Sequence, residues 1–256
     1  MKIDNKAVFL FVTHKVNQSI LERFYTLREQ TYHIGESYFL LDTSNGFDFE
    51  IPEDIPLYTY NRSLLNNLGY TAIHDKIIPG SNHFITLQFF LDNPHFNHYW
   101  SIEYDVVYTE MWTDFFINFE NIEADFISSH VETFLSNPYW YWWPTLHLKN
   151  SKIKIKQLLK SFNPIYRISN EALSFLNKFL KDNDHKGHHE VLIPTVLNMY
   201  GFKILDFGGL GEYVLPQFKE RFYLTSSQYV GGTMRDKPPI SEQELSLKNK
   251  LLHPVK

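Results

Sequence analysis

Two carboxylates flank a tyrosine in the string Tyr99-Trp100-Ser101-Ile102-Glu103-Tyr104-Asp105-Val106. At the end of a strand, such a pair can turn into one crevice as the chain leaves the sheet. Hard divalent cations such as Mg²⁺ and Mn²⁺ take oxygen ligands. They commonly bind one or two carboxylates and share the remaining positions with substrate phosphates. A nucleotide diphosphate-sugar suits that arrangement, because the metal offsets charge building on the departing diphosphate. An acid-x-acid triplet is also what an exposed acidic turn looks like, so its placement at a strand end matters as much as its spacing.

Three further clusters carry candidate chemistry. The string Asp184-His185-Lys186-Gly187-His188-His189-Glu190-Val191-Leu192-Ile193-Pro194-Thr195 delivers Glu190 to the start of a helix, where partial positive charge favours a carboxylate. Glu190 there is either a plain helix-end charge or a general base for an acceptor hydroxyl. His188 and His189 stand beside it to orient it or to meet the acceptor. His185, His188, His189 and Glu190 also suggest a metal cluster, although the spacing is not the His-Glu-x-x-His of zinc proteases. The run Tyr139-Trp140-Tyr141-Trp142-Trp143-Pro144 cannot bury every ring, since alternate side chains of an extended segment face opposite ways. Trp140, Trp142 and Trp143 are therefore candidates for a sugar platform, with core packing as the other reading. In the tail, Gly231-Gly232-Thr233-Met234-Arg235 and His253-Pro254-Val255-Lys256 supply Arg235 and Lys256 for phosphate and His253 for a metal shell.

The elements that must position these residues can be read from periodicity and punctuation. Ala7 to Val12 is a short apolar run that reads as a buried, parallel strand ending at Thr13-His14. Ile20, Leu21, Phe24 and Leu27 recur at helical spacing between Asn17 and Gln30. Ser37 to Leu41 reads as the next strand, closed by the turn cluster at 42–46. Helices are expected over Asn61 to Leu68, His83 to Leu91 (amphipathic), Trp112 to Phe119, Glu171 to about Lys181 with Asn170 as cap, and Glu190 to Tyr200 with Pro194 in its first turn. Strands are expected over His98 to Ile102, Ala124 to Ser128 and Phe202 to Leu205. Asp182 to His188 reads as a polar loop, and the chain after Gly208 as irregular. The alternation predicts an α/β fold with an open, mostly parallel sheet and a decorated C-terminal half. One domain over residues 1–256 is the economical reading.

Composition narrows the class. The chain has 256 residues, 43% hydrophobic and 21% charged, which is a globular profile rather than a disordered one. A net charge of −5 argues against a nucleic-acid partner. There are no cysteines, so disulfide frameworks and cysteine-based zinc sites are excluded, and a reducing compartment fits. The apolar run at Ala7 to Val12 is too short for a signal-peptide core or a membrane span, which leads to a cytoplasmic expectation with at most peripheral membrane contact. Aromatic content is high at 17%, with 16 Tyr and 5 Trp, which leans slightly toward carbohydrate recognition.

Taken together, the strand ending in Thr13-His14, the Trp100 to Val106 block, the His188 to Thr195 block and the closing His253 to Lys256 resemble GT-A-type glycosyltransferases, in particular a bacterial group of nucleotide-diphospho-sugar transferases. The likeness spans most of the chain as spaced blocks. It implies a GT-A, Rossmann-like domain, with about 1–130 binding the nucleotide-sugar and about 131–256 holding the acceptor and the tail. It further implies that Asp105 and His253 ligate Mn²⁺ or Mg²⁺, with Glu103 at the ribose or the metal shell. Thr13 and His14 would cradle the nucleotide, Arg235 and Lys256 the diphosphate, and Glu190 would be the base of an inverting enzyme. The donor would by default be a UDP-sugar and the transferred group a hexose or N-acetylhexosamine. A glycan or lipid-linked acceptor in polysaccharide biosynthesis is expected by the same analogy. The competing classes are a His/Glu-cluster metallohydrolase and a non-catalytic carbohydrate-binding protein.

Overall fold

A computed structural model describes residues 7–149, 152–181, 184–225 and 232–256. Met1 to Lys6, Asp182 and Gly231 lie outside the described residues. The chain begins with β1 (Ala7–Thr13), α1 (Gln18–Thr31), β2 (Glu36–Asp42), β3 (Leu57–Tyr60), the one-turn α2 (Leu64–Asn67) and α3 (His83–Asp92). Then come β4 (His98–Glu103), β5 (Val107–Tyr108), α4 (Trp112–Glu120), β6 (Phe126–Thr133) and β7 (Leu159–Ser169). The described chain closes with α5 (Asn170–Lys181), α6 (His189–Met199), β8 (Ile204–Asp206), α7 (Glu242–Leu245) and β9 (Leu251–Leu252).

Seven strands form one sheet in the order β3-β2-β1-β4-β7-β6-β8, and β5 pairs with β9 beside it. Every pairing in the large sheet is parallel except those of β7, which runs antiparallel to β4 and β6. This is the open, mostly parallel α/β sheet that the alternation predicts. β1 shows why its run is apolar throughout. Val8, Leu10 and Val12 point into a core shared with α3, α5 and α6, while Phe9 and Phe11 point into an aromatic core shared with α1 and α4. A strand buried on both faces has no polar side to show.

The expected elements recur with small shifts of boundary. Asn17 caps α1 by accepting from the Ile20 N–H at 2.9 Å. Four readings are corrected. α3 is buried almost all round rather than amphipathic, because α2, α5 and β4 pack around it. Ser169, not Asn170, accepts from the first turn of α5, and Asn170 instead ties Pro94 and Phe96 carbonyls. Pro194 lies inside α6, beyond its first turn. β3, β5 and β7 have no counterpart in the sequence reading, and α7 and β9 lie in the stretch after Gly208 that it read as irregular. β7 contains Pro164 and Asn163, and its polar and apolar residues alike are buried, so no alternation marks it.

Two features of the sheet shape its carboxyl edge. The strand order reverses between β1 and β4, and crevices at such a switch point receive ligands beyond the carboxyl ends of the strands. Near those ends, β6 loses register with β7 between Ile127 and Ser129 and again before Glu132, with His130 in the left-handed region at φ 48°. Bulges of this kind re-aim side chains. Here His130 and Glu132 are directed into a hollow of about 540 Å³ at the carboxyl edge.

Candidate functional site

β1 and β4 end side by side, with Val12 opposite Glu103. Glu103 closes β4, and Asp105 follows in the turn beyond it. The C-terminal tail returns to the same place. The Asp105 carbonyl accepts from the Val255 N–H at 2.9 Å, and Arg23 donates to the Tyr104 and Val255 carbonyls. This brings His253 Nε2 to 3.5 Å from Asp105 Oδ1 and 3.8 Å from Glu103 Oε2. Among the described residues, Glu103, Asp105 and His253 are the one set of three such side chains whose ligand atoms converge, all within 4.8 Å.

The donor set fits a divalent cation. Asp105 Oδ1 is buried and makes no hydrogen bond. His253 Nδ1 lies 2.6 Å from the Arg235 carbonyl, so Nδ1 keeps its N–H and Nε2 is the nitrogen that faces the acids and would meet a cation. Asn82 donates to Glu103 Oε1 at 3.2 Å and fixes its plane. Without a cation the cluster retains protons. Burial pushes Glu103 up to about 7, with His253 opposing and Asp105 adding to the shift. Burial alone would lower His253, but Asp105 and Glu103 outweigh it and raise its pKa.

A cavity of about 540 Å³ opens next to this cluster and is lined by Glu103, His253, Trp140, Trp142, His188, His189 and Glu190. Glu190 sits in the first turn of α6 and is only 5% exposed. Its Oε1 accepts from the Asn163 N–H at 3.4 Å. Burial lifts its pKa to about 8, so near neutral pH it is poised between acid and base. His188 Nδ1 caps α6 by accepting from the Glu190 N–H at 3.3 Å, and its ring stacks on Trp142 at 3.9 Å between centroids. Burial pushes His188 down to about 3, so its 3.6 Å approach to the Glu190 carboxyl is a contact with a neutral ring, not an ion pair. His189 is also held well below the usual range by burial.

The aromatic loop divides its labour. Trp140 and Trp142 line the cavity, and the buried Trp140 indole N–H has no partner. Trp143 does not line it. Its indole donates to the Asn137 carbonyl at 2.9 Å and its ring packs on Phe134, which braces the loop. Tyr139 and Tyr141 are exposed, as five consecutive aromatics require. Lys160, Glu132, Asn137, Asn163 and His130 also line the cavity, and sequence reading did not single them out. Lys160 is buried, pairs with Glu132 at 3.0 Å and lies 4.4 Å from the Trp140 ring centroid. It comes from β7, the strand whose period hides it.

Other candidates fall elsewhere. Thr13 is buried and its hydroxyl closes a turn onto the Lys15 carbonyl. His14 is exposed, meets Tyr104 edge-on at 5.2 Å, and lines a second hollow of about 280 Å³ with Asp42, Asn45, Arg62 and Lys76. Lys256 is exposed next to the tail's contact with Asp105. Arg235 lines the large cavity, but all its N–H groups are spent within the protein. Nε donates to the Pro238 carbonyl, and the two terminal nitrogens donate to Gly232, Pro239 and both Glu244 oxygens. The guanidinium expected to meet a diphosphate instead organises the tail that carries His253. His185 does not join His188, His189 and Glu190 in a metal cluster. Its Nδ1 accepts from the Lys149 N–H at 3.1 Å, and its ring stacks on Phe179. The ligand set required by a His/Glu-cluster hydrolase is therefore not assembled among the described residues.

No family model matches the chain, and no curated protein matches it. Solved structures similar to it include "A197 from STIV" at 14% identity, with 66% of this chain and 67% of that one covered and a TM-score of 0.30. A second is titled "a Putative Glucose-1-Phosphate Thymidylyltransferase from Bacillus anthracis in Complex with a Sucrose", at 11% identity, 80% and 87% coverage and a TM-score of 0.42. A third is HddC from Yersinia pseudotuberculosis, at 11% identity, 79% and 89% coverage and a TM-score of 0.39. Likenesses at this level say nothing of the site or its chemistry.

Proposed function

We propose that the protein is a metal-dependent glycosyltransferase that moves a sugar from a nucleotide diphosphate donor to an acceptor hydroxyl. The observation that carries this reading is the convergence of Glu103, Asp105 and His253 at the switch point, on the edge of the same cavity that holds the buried Glu190. A binding module has no need of a desolvated carboxyl whose pKa sits near 8 beside a cluster with cation-ligand chemistry.

The two hollows suggest a division of the substrates. The smaller one, beyond the ends of β1 and β2, takes the nucleoside, with His14 and Asp42 at its wall and Arg62 and Lys76 as cations toward the phosphates. Lys256 is a further cation in reach of the tail's contact with Asp105. The larger cavity takes the acceptor, held by Trp140 and Trp142 against the C–H face of a sugar ring. Asp105, His253 and Glu103 would hold Mn²⁺ or Mg²⁺, which would supply neutralising charge for a leaving diphosphate. Glu190 takes the proton of the acceptor hydroxyl as that oxygen attacks the anomeric carbon, and the bond from that carbon to the diphosphate oxygen breaks. A single displacement of this kind inverts the anomeric centre. Asn163 and the N-terminus of α6 hold the Glu190 carboxyl in place, and His188 and His189, both neutral, do not pair with it as cations. We assign UDP as the default nucleotide and a glycan or lipid-linked acceptor. No helix among the described residues is long and apolar enough to cross a membrane.

The reading is tested by measuring nucleoside diphosphate release from a panel of nucleotide-sugars in the presence of Mn²⁺ and mixed glycan acceptors. Glu190→Gln is expected to bind the donor normally and to transfer about 10²- to 10⁴-fold more slowly, the contribution of a positioned general base. A parent protein that binds glycans but no nucleotide-sugar would turn the reading to a carbohydrate-binding protein.

A further inference from the structure

A second cleft of about 320 Å³ lies at the opposite edge of the sheet, where β1 and β4 begin and β7 ends. It shares no residue with the two hollows at the carboxyl edge. Its lining side chains are mostly apolar and largely aromatic, with Phe9, Trp100, Phe116 and Phe119 among them and the half-exposed Ile117 at the mouth. Arg167 lies opposite Trp100 across the β4–β7 pairing and also lines the cleft.

Arg167 is only 1% exposed, yet no carboxylate among the described residues lies within salt-bridge distance of it. One terminal nitrogen donates to the Phe119 carbonyl, the other to those of Ile122 and Ala124 at 2.7 and 2.9 Å. These contacts cap the C-terminal end of α4, a favourable place for a cation. They leave Nε buried with no partner. The nearby Asp125 carboxyl is occupied by Ser169 and the Lys203 N–H. The other titratable groups on the cleft are His98, which burial and then Arg167 push down to about 4 and so leave neutral, and the exposed Glu120 at the rim. Asp125 acts on Arg167 only from beyond contact distance, so a buried guanidinium with an unused N–H stays costly unless a ligand supplies a closer anion.

We propose that this cleft binds a small monocarboxylate with an apolar body, its carboxylate accepting from Arg167 Nε and its hydrocarbon or aryl part lying among Phe9, Trp100 and Phe116. The size is at the lower end for ligand sites, which suits an aryl-acetic acid or a short-chain fatty acid rather than a nucleotide.

The test is a titration of phenylacetate, benzoate and hexanoate into ¹⁵N-labelled protein, with the arginine Nε–H resonances followed by NMR and the matching neutral amides as controls. The Arg167 Nε–H signal, assigned by its loss in Arg167→Gln, is expected to shift saturably with at least one carboxylate. The corresponding amide is expected to bind at least roughly tenfold more weakly, the margin of a charge-assisted hydrogen bond over a neutral one. Arg167→Gln also removes the α4 cap and is at risk of misfolding, so Ile117→Asp supplies an independent variant. It adds a negative charge at the exposed mouth and is expected to weaken the carboxylate while leaving the amide unchanged. No shift with any of the three acids, equal binding of acid and amide, or indifference of the acid to Ile117→Asp would each overturn the proposal.

Discussion

Asp105 Oδ1 is buried without a hydrogen bond, and His253 aims Nε2 at it from 3.5 Å. Nothing in the protein completes that pair, so Asp105→Ala is expected to leave the fold intact while losing Mn²⁺ binding and several kcal/mol of transition-state stabilisation. Circular dichroism and a Mn²⁺ titration check both parts. Glu190 makes a different prediction, because its pKa near 8 lies above the usual carboxylate value. A folded state that holds a proton the unfolded chain has released loses stability as pH rises, here between about 4.5 and 8. Glu190→Gln removes that penalty. Its stability advantage over the parent should therefore grow by up to about 1.4 kcal/mol per pH unit across this window, measured by denaturant unfolding. A flat difference would mean that Glu190 is not buried as the site requires. At this scale the candidates were legible: Glu103, Asp105, His253 and Glu190 stand in short strings that sequence reading singles out, and the fold brings them to one region. Arg235 shows the limit: its type suits phosphate, and only the fold reveals that Glu244 and the main-chain carbonyls of Gly232, Pro238 and Pro239 have already claimed it.

The segment between β7 and the tail decides whether these residues meet. Arg235 and Glu244 form a buried pair, and the Arg235 guanidinium holds the Glu244 carboxyl down at about 2. Breaking one partner of such a pair costs roughly 3–5 kcal/mol. Arg235→Ala is accordingly expected to lower Tm markedly and, because the Arg235 carbonyl orients His253, to weaken Mn²⁺ binding as well. Unchanged Mn²⁺ affinity in a folded Arg235→Ala sample would show that the tail's order does not depend on this pair. The Arg235–Glu244 contribution is present at neutral pH and fades as acid is added from about 4.5 toward 2, the range over which the depressed Glu244 carboxyl takes up its proton. β1, β2 and β4 were readable because burial on both faces writes a continuous apolar run. β7 was not, since its buried Lys160 and Asn163 are satisfied by partners from β6 and α6 that sequence spacing does not display, and its Ser161 hydroxyl is buried without a partner. The bulges in β6 that direct His130 and Glu132 into the cavity likewise belong to strand pairing and have no local signal.

At the level of the whole molecule, one edge of the sheet gathers the ends of β1, β2 and β4, the start of β7, the N-terminus of α6 and the returning tail. Residues far apart in the chain therefore form one site, and a ligand that joins them should stabilise the whole fold. Mn²⁺ at 100 times its Kd is expected to add about 2.7 kcal/mol. Because Glu103 and His253 both have raised pKa values without a cation, binding should also release protons near neutral pH, which calorimetry in buffers of different ionisation enthalpy detects. The most direct test of the central claim is calorimetric titration of UDP, GDP and CDP into the protein, with and without Mn²⁺, alongside Asp105→Ala. The account predicts saturable binding of one nucleotide that requires Mn²⁺ and disappears in the variant. Failure of a folded parent protein to bind any of the three, or binding that is indifferent to both Mn²⁺ and Asp105, would contradict it.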